Sequence, residues 1–330
     1  MKGVFALKEE ILNLLRESFG SFVSGQEISE KLGVSRTAIW KYINHLKEDG
    51  YEIESISKKG YRLLVAANIL TEEEIHPLLN TKEIGKKILH FDTIDSTNSK
   101  AKELANNGEE HGTIVVSEEQ TLGRGRMGRS FVSPKGKGIW MSIILRPDID
   151  PLRISLITQI AAAAVNTALT QFGVDSKIKW PNDIILKGKK VCGILTEMSG
   201  ELTKINYVVL GIGLNANIDC DDFTEEIKEI ATSLKIQFER DFDRKALMAS
   251  VINNFEALYD EFEKKDDISN TIKICKDKSI LIGKNIKVIQ RNMETKAKVL
   301  DINEEGLLVV EYEDGTIKSL ISGEISIRGY

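Results

Sequence analysis

The spacing of apolar residues separates the chain into three regions. In the first region, up to about residue 66, apolar positions recur at helical spacing and then alternate. Ser24 and Glu27 form a capping-box pair ahead of a short helix. Gly33 permits a tight turn, and Ser35 caps a second helix. The apolar positions of that second helix are Ala38, Ile39, Tyr42, Ile43 and Leu46. This pattern predicts a helix-turn-helix.

An alternating pattern follows the two helices. Residues 51–56 and 61–64 read as strands, and the basic segment 57–60 reads as the tip of a hairpin. We therefore predict a winged helix-turn-helix DNA-binding domain over residues 1–66. The side chains expected to reach DNA, from the second helix and the hairpin tip, are Ser35, Arg36, Thr37, Lys41, Asn44, Lys58 and Lys59. A protein-interaction module is the alternative.

The charge of this region predicts weak DNA binding by a single copy. Up to residue 65 the chain has ten Lys plus Arg and nine Asp plus Glu. Because phosphate neutralisation dominates affinity, one copy of so balanced a domain should hold DNA poorly. A dimer on an operator with two half-sites would compensate.

The second region, residues 67–270, alternates between helical and strand-like patterns and predicts an α+β domain with a mixed sheet. A helix should begin at Ser99, after the polar caps 96–98. The other expected elements are strands at 113–117 and 139–145, a helix at 155–172, a strand-turn-strand at 180–186, and strands at 191–198 and 207–215.

The third region, residues 271–330, predicts a small β-barrel of SH3-like type. Asp314-Gly315 is a hairpin signal. The five short strands are expected at 284–290, 295–301, 307–312, 316–321 and 324–328.

Composition limits the class of protein. With 330 residues, 42% of them apolar, the chain can bury a large core in two or three domains. The most apolar helical stretch, 154–169, contains polar residues and is too short to span a bilayer. The sequence does not start with a charged and then apolar leader, so we expect a cytoplasmic protein that does not associate with a membrane. The net charge of −5 gives no global attraction for nucleic acid, so a DNA contact must come from a local surface.

Cysteine and histidine residues do not predict a metal site. Cys192, Cys220 and Cys275 are far apart and lack the C-x-x-C spacing of zinc sites. The four histidines are isolated in sequence. We expect reduced thiols and assign no metal to the cysteines or the histidines.

Two polar segments suggest the chemistry. Residues 123–129 read Gly-Arg-Gly-Arg-Met-Gly-Arg, and residues 179–183 read Lys-Trp-Pro-Asn-Asp. The first segment fits G-x-G-x-x-G, but a dinucleotide-binding fingerprint must open a helix, and a strand-like run at 139–145 follows here. Arginines among glycines suit a reaction that joins a carboxylate to a phosphate, because cations must cancel the repulsion between the two anions.

Four motifs together resemble the biotin–protein ligases. They are residues 123–129, 179–183, 190–197 (Lys-Val-Cys-Gly-Ile-Leu-Thr-Glu) and 211–215 (Gly-Ile-Gly-Leu-Asn). The amino-terminal winged helix makes the chain similar to the bifunctional kind, which also represses the biotin operon. The resemblance implies a class II synthetase-like ligase domain at the centre of the chain.

The resemblance also implies a reaction and its participants. Biotin and MgATP would give biotinyl-5′-AMP, and a lysine of the biotin carboxyl carrier protein would then attack it. The residues implied around biotin and its carboxyl group are Ser96, Thr97, Asn98, Gln120, Arg124, Gly125, Arg126, Lys190 and Gly193. Those implied at the adenylate or triphosphate are Arg129, Asn182, Asn215 and Lys190. The homodimer that binds operator DNA would be favoured by biotinyl-5′-AMP.

Residue chemistry supports these roles while leaving alternatives open. Lys190 and Arg126 are the main catalytic candidates, although Lys190 could be a solvated lysine at a strand start. Asp183 could accept a proton, help to hold magnesium or serve as a turn residue. An apolar biotin tail could contact Trp180, Ile194 and Leu195. An aromatic cover over the ligand is expected from Phe131, and Phe223 is a candidate lid.

Three rival functions remain at this point. The chain could be a lipoate ligase, a DNA-binding sensor without catalysis, or a ligase whose winged helix no longer binds DNA. The loop at 123–136 has several glycines and crowded positive charge, so we expect it to become ordered when the adenylate binds and thereby to favour the dimer.

Overall fold

The computed structural model describes residues 4–48, 50–65, 68–201, 204–290, 293–321 and 324–326. The chain divides into two compact units, Met1–Ile69 and Leu70–Tyr330. The domain boundaries expected at residues 66 and 270 stay predictions.

The first unit has the predicted helix-turn-helix followed by a hairpin. Ser24 Oγ accepts a hydrogen bond from the Glu27 amide at 3.0 Å, and Ser35 Oγ accepts one from the Ala38 amide at 3.2 Å, so both serines cap helices. Gly33 makes the turn with a φ of 68°. The elements are α1 (Val4–Glu17), α2 (Gly25–Leu32), α3 (Arg36–Glu48), β1 (Glu52–Ile56) and β2 (Gly60–Val65).

The core of the first unit forms where the three helices meet the hairpin. Ile28 of α2 and Ile39 and Ile43 of α3 are completely buried. Helix α1, which we did not predict, adds Ile11 and Leu12 to this core. The winged-helix prediction is therefore confirmed.

The second unit is built on a seven-stranded sheet in the order β3-β4-β5-β9-β8-β7-β6. Among the described strands of this sheet, only the β3–β4 pair is parallel, which confirms the predicted mixed sheet. Strand β4 runs to Gln120, three residues beyond the predicted end. The strands are β3 (Ile88–Ile94), β4 (Ile114–Gln120), β5 (Ile139–Leu145), β6 (Lys177–Lys179), β7 (Asp183–Leu186), β8 (Lys189–Glu201) and β9 (Lys204–Leu214).

Helices cover both faces of this sheet. Helix α5 packs Ala101 and Ala105 against one face, and α6 and α9 share the main core on the other. The helices are α4 (Glu72–Ile75), α5 (Thr97–Asn106), α6 (Ile154–Gln171), α7 (Glu225–Lys228), α8 (Leu234–Phe238), α9 (Arg244–Lys265) and α10 (Ser269–Asp277). Within the described residues, one stretch, Pro151–Gln171, has the length and apolar content of a membrane helix, but most of it is buried as a core helix.

A buried ion pair joins α9 to the sheet. Arg244 Nη1 lies 2.8 Å from Glu118 Oε2, and both side chains are almost completely buried. Glu118 also accepts the Leu70 amide at 2.9 Å and lies 3.3 Å from His90 Nε2. Burial alone would raise the pKa of Glu118, but the hydrogen bond to His90 and the charge of Arg244 outweigh it and lower that pKa. This pair fixes β4 two residues before Gln120.

The C-terminal strands, predicted to form a small SH3-like β-barrel, form a five-stranded antiparallel sheet in the order β13-β12-β11-β10-β14. The hairpin at Asp314-Gly315 is confirmed, since the Tyr312 amide donates to the Thr316 carbonyl at 2.9 Å. Residues 327 and 328 of the fifth predicted strand lie outside the described residues. The strands are β10 (Asn285–Gln290), β11 (Met293–Ile302), β12 (Leu308–Tyr312), β13 (Ile317–Leu320) and β14 (Glu324–Ser326).

Candidate active site

A cleft in the second unit lies over β8 and β9, between the start of α5 and the arginine loop at 123–129. It brings together residues that are distant in sequence. The predicted site residues that line it are Ser96, Thr97, Asn98, Gln120, Arg124, Gly125, Arg126, Asn182, Lys190 and Gly193. Phe131, Ile194 and Leu195 also line the cleft.

Glycines form the floor of the cleft because other side chains lie directly on the backbone. A Cβ at Gly213 would stand 2.7 Å from the Phe131 ring, and one at Gly193 would stand 2.8 Å from Lys190 Cε. A Cβ at Gly211 would stand 2.1 Å from Asn98 Oδ1. A side chain at any of these positions would displace a residue that lines the cleft, so close packing favours the sequence Gly-Ile-Gly on β9.

The strand register gives the cleft a direction. Gly193 pairs with Gly213, and two residues further along Leu195 pairs with Gly211. These two pairs are about 7 Å apart at roughly 3.3 Å per residue. Lys190 therefore lies toward one end of the floor and Asn98 toward the other.

The Asn98 end carries a network of neutral polar groups. The Ser142 hydroxyl lies 2.8 Å from Thr97 Oγ1 and 2.6 Å from Asn98 Oδ1. Gln120 Oε1 accepts the Thr97 amide at 2.8 Å, and Gln120 Nε2 donates to Ser133 Oγ at 2.9 Å. Hydroxyl and amide groups held in this way can donate to and accept from a neutral polar ligand.

Glu197 fixes the orientation of the Asn98 amide. Asn98 Nδ2 donates to Glu197 Oε2 at 2.8 Å, and Lys102 Nζ lies 2.8 Å from Glu197 Oε1. Burial alone would raise the pKa of Glu197, but the hydrogen bonds from Lys102 and Asn98 outweigh it and lower the pKa. The carboxylate therefore stays ionised, and Asn98 Oδ1 is left facing Ser142.

The arginine loop is tied to the turn at 180–182. Arg126 Nη1 donates to Asn182 Oδ1 at 2.9 Å, and Asn182 Nδ2 donates to the Ile194 carbonyl at 3.0 Å. The loop itself closes through the Gly125 amide, which donates to the Arg129 carbonyl at 2.7 Å. One guanidinium is thus held at the cleft by a chain of hydrogen bonds that ends on β8.

Lys190 faces the same end of the cleft from the start of β8. Its Nζ lies 2.6 Å from Asp183 Oδ1 and 6.0 Å from the centre of the Phe131 ring. Lys190 and Arg126 together place positive charge where an anionic ligand would be stabilised. Asp183 does not line the cleft; it contacts the cleft through Lys190.

Three expectations differ from the structure. Trp180 does not line the cleft: it is buried, and its Nε1 donates to the Gly306 carbonyl at 3.0 Å, so its ring packs toward the C-terminal segment. Phe223, considered as a lid, is buried beside Trp140 and Ile218. Residues 96–98 were expected to cap α5, but the helix begins at Thr97 and the Ser96 side chain makes no capping hydrogen bond.

Two predicted adenylate residues lie outside the cleft lining. Asn215 is buried and donates through Nδ2 to the Thr232 carbonyl at 2.9 Å. Arg129 is exposed on the loop. Their contact with an adenylate stays a prediction.

Three residues that hold the side chains of the cleft in place have no clear signal in the sequence. Ser142 and Ser133 are spaced like ordinary strand and loop residues, and Glu197 ends a motif without an evident task. In the motif at 211–215, the resemblance implies a role for Asn215 but none for Gly211 or Gly213. The doubled glycine within an apolar strand was the available signal, because such glycines mark a close approach.

The described residues contain no group of three or more His, Cys, Asp and Glu side chains that could hold a metal. Burial raises the pKa of the Cys275 thiol to about 12, and it also raises that of Cys192. Neither thiol is therefore available as a nucleophile near neutral pH.

In the first unit, the side chains predicted to meet DNA are mostly exposed. Ser35, just before α3, and Arg36, Thr37 and Lys41 on α3 are exposed, and Asn44 is half-buried. Lys58 and Lys59 are exposed at the hairpin tip, where Lys58 has a φ of 66°.

Comparison with known proteins identifies the family. Residues 90–215 match the biotin/lipoate A/B protein ligase family, residues 8–62 match a helix-turn-helix domain, and residues 281–328 match the biotin protein ligase C-terminal domain. The fold is thus that of a biotin protein ligase joined to a helix-turn-helix domain. The chain belongs to the family of bifunctional biotin ligase/repressor proteins.

Relatives cover nearly the whole chain. The bifunctional ligase/repressor BirA of Bacillus spizizenii is 41% identical over 97% of this chain and 98% of its own length. BirA of Escherichia coli is 31% identical over 94% of each chain. The structure of the Aquifex aeolicus biotin protein ligase in complex with biotin and ATP is 29% identical, with a TM-score of 0.64, and covers 74% of this chain and all of that one.

Proposed function

We propose that this chain activates biotin with ATP, transfers it to a lysine of a biotin carboxyl carrier protein, and represses biotin genes when loaded with biotinyl-5′-AMP. The observation that carries the catalytic part is the meeting of Arg126 and Lys190 at one end of a cleft whose other end is neutral and polar. Biotin has the same polarity, with a neutral ureido ring, an apolar tail and a carboxylate.

In the first step, a biotin carboxylate oxygen attacks the α-phosphorus of ATP and pyrophosphate leaves. The polar network of Thr97, Asn98 and Gln120 would bind the ureido ring. Arg126 and Lys190 would lie against the carboxylate and the phosphate and offset their mutual repulsion. The pair between Lys190 and Asp183 would loosen as the ligand takes over the ammonium group.

In the second step, the carrier amine attacks the carboxyl carbon of the mixed anhydride and AMP leaves. The amine must lose a proton, and Asp183 is the carboxylate nearest Lys190 that could receive it. Magnesium would accompany the triphosphate, because this ion is commonly held by substrate phosphates and one or two carboxylates. Asp183, which lies beside Lys190, would be the carboxylate that holds this ion.

The test of the catalytic proposal uses the purified chain with MgATP and an isolated carrier domain. Biotin should label the carrier, and lipoate in its place should not. Labelling with lipoate alone would favour the lipoate ligase, and no labelling with either acid would favour a sensor without catalysis. A carrier whose acceptor lysine is changed to arginine is the control.

The repressor proposal rests on the exposed polar side chains of α3 and the hairpin tip. The nearly neutral charge of this region requires two copies on DNA, so the proposed state is a homodimer favoured by biotinyl-5′-AMP. The protein would bind both the carrier protein and operator DNA in the cytoplasm.

Ordering of the arginine loop is the proposed link between the two activities. Hydrogen exchange at residues 123–136 should slow when biotin and MgATP are added together, and sedimentation should show dimer at the same concentrations. Slower exchange without dimer would disprove the link but leave the ligase activity intact.

A further inference from the structure

Trp40 is an exposed tryptophan on the second helix of the helix-turn-helix. Its side chain is 56% exposed, whereas Trp140 and Trp180 are 0% and 3% exposed. Large apolar side chains on α3 are otherwise buried, as Ile39, Ile43 and Leu46 are. Removing apolar surface from water has a favourable free energy, and an exposed indole gains it only when a partner covers the ring.

The position of Trp40 on the helix indicates which surface it belongs to. Arg36, Trp40 and Asn44 are spaced four residues apart, so their side chains follow one another along one face of α3. Arg36 and Asn44 were both expected to contact DNA. The indole therefore lies in the middle of the row of side chains that would enter a groove.

Charge around this row favours nucleic acid as the occupant. Arg36 and Lys41 are exposed and form no ion pair with the residues that the structure describes, whereas Lys31 and Arg62 are paired with Glu27 and Glu54. Lys58 and Lys59 add further positive charge at the hairpin tip. An apolar ring flanked by available cations matches the major groove, where thymine methyl groups lie between two phosphate backbones.

We propose that Trp40 is a specificity-determining residue that packs on a thymine methyl group in the major groove. This inference rests on the proposed DNA-binding function and goes beyond it by naming the base. Phosphate contacts from lysine would position the helix, and the indole would read sequence. Loss of the ring should therefore relax specificity more than it weakens binding to DNA in general.

The first experiment selects duplexes from a random-sequence pool with the full chain in the presence of biotin and MgATP. The wild type should enrich a palindromic sequence containing a thymine that Trp40→Ala no longer selects. Phe19→Ala, which removes another exposed aromatic residue of the same unit, should enrich the wild-type sequence. The double variant Lys58→Ala/Lys59→Ala should bind all duplexes more weakly with the same preference.

The second experiment replaces each selected thymine by deoxyuridine, which removes only the methyl group. One replacement should weaken wild-type binding about fivefold or more and leave binding by Trp40→Ala unchanged. Quenching of the tryptophan fluorescence by acrylamide should also fall when the selected duplex is added, because Trp40 is the exposed member of the three tryptophans.

The outcomes separate this inference from the function beneath it. If the wild type enriches no sequence, the DNA-binding proposal fails and the inference fails with it. If Trp40→Ala enriches the wild-type sequence with unchanged affinity, or if deoxyuridine affects both proteins equally, the role of Trp40 is overturned alone. If biotin and MgATP protected the Trp40 fluorescence from acrylamide in the absence of DNA, a protein surface would be what covers the indole. This result too would overturn the proposal.

Discussion

Arg126 and Asn182, which are 56 residues apart in sequence, are joined by a hydrogen bond of 2.9 Å from Nη1 to Oδ1. Asn182 is buried, and its own amide is held by the Ile194 carbonyl. The turn thus determines where the guanidinium of the loop lies.

Replacing Asn182 by alanine should release Arg126 while keeping the loop sequence intact. We expect the rate of biotin-dependent pyrophosphate exchange to fall about a hundredfold, since a small misplacement of a positioned group has this effect. Asn270→Ala, at an exposed asparagine of α10, is the control and should react at the wild-type rate. An unchanged rate in folded Asn182→Ala would mean that this hydrogen bond has no part in adenylation.

The glycine floor gives a second prediction. Gly213→Val should weaken biotin binding, because the new side chain would stand 2.7 Å from the Phe131 ring and force that ring to move. Calorimetry with biotin alone should show affinity reduced at least tenfold. Gly25→Ala adds a methyl group only 3.5 Å from Tyr61, an ordinary contact, and should bind biotin normally. If Gly213→Val bound biotin with wild-type affinity, the glycine floor would not be part of the biotin-binding site.

The sequence was informative where the pattern is local. Capping by Ser24, the hairpin at Asp314-Gly315 and most strands could be predicted because propensity and spacing act over a few residues. Helix α9 was missed, although it is the longest helix among the described residues. Its buried face includes Arg244 and Glu256, and these charged residues interrupt the apolar pattern by which a core-facing helix is predicted from sequence.

The site was predictable in its residue types but less so in its contacts. The arginine loop and Lys190 were identified because their charge and glycine content are unusual. Trp180 was misassigned because sequence does not reveal to which side of a turn a side chain points. Its partner, the Gly306 carbonyl, is 126 residues away.

Trp180→Phe tests the revised position of this ring. The change removes the indole N–H that donates to Gly306 and keeps an aromatic ring in the core. Stability should fall by about 1 kcal/mol, the usual net value of one hydrogen bond. The KM for biotin should stay within about twofold of the wild type, because the ring does not line the cleft. A large rise in that KM with normal thermal stability would mean that Trp180 contacts biotin.

The Glu118–Arg244 pair predicts a dependence of stability on pH. Because the pKa of Glu118 is lowered by folding, its contribution is present above the ordinary value of 4.5 and is lost as pH falls through the lower, folded value. Glu118→Gln should lose on the order of 3 kcal/mol at pH 7, since it leaves Arg244 buried without its counter-charge. Its melting temperature should then fall less between pH 5 and pH 3, roughly the range given by linkage.

An exposed carboxylate supplies the comparison for this variant. Glu103 pairs with Lys100 on the surface of α5, so Glu103→Gln should change stability by less than about 1 kcal/mol. If Glu118→Gln and the wild type lost stability in parallel on acidification, the buried pair would not be the source of the pH dependence.

The central claim is that Lys190 and the loop arginines make adenylation possible by offsetting the charge of two anions. Formation of biotinyl-5′-AMP in a single turnover tests it most directly, with Lys190→Ala compared with Lys189→Ala. Lys189 is the adjacent residue, and its Nζ donates to the Lys228 carbonyl outside the cleft. We predict that Lys190→Ala forms the adenylate at least a hundredfold more slowly, while Lys189→Ala matches the wild type. Equal rates in both variants would contradict the account.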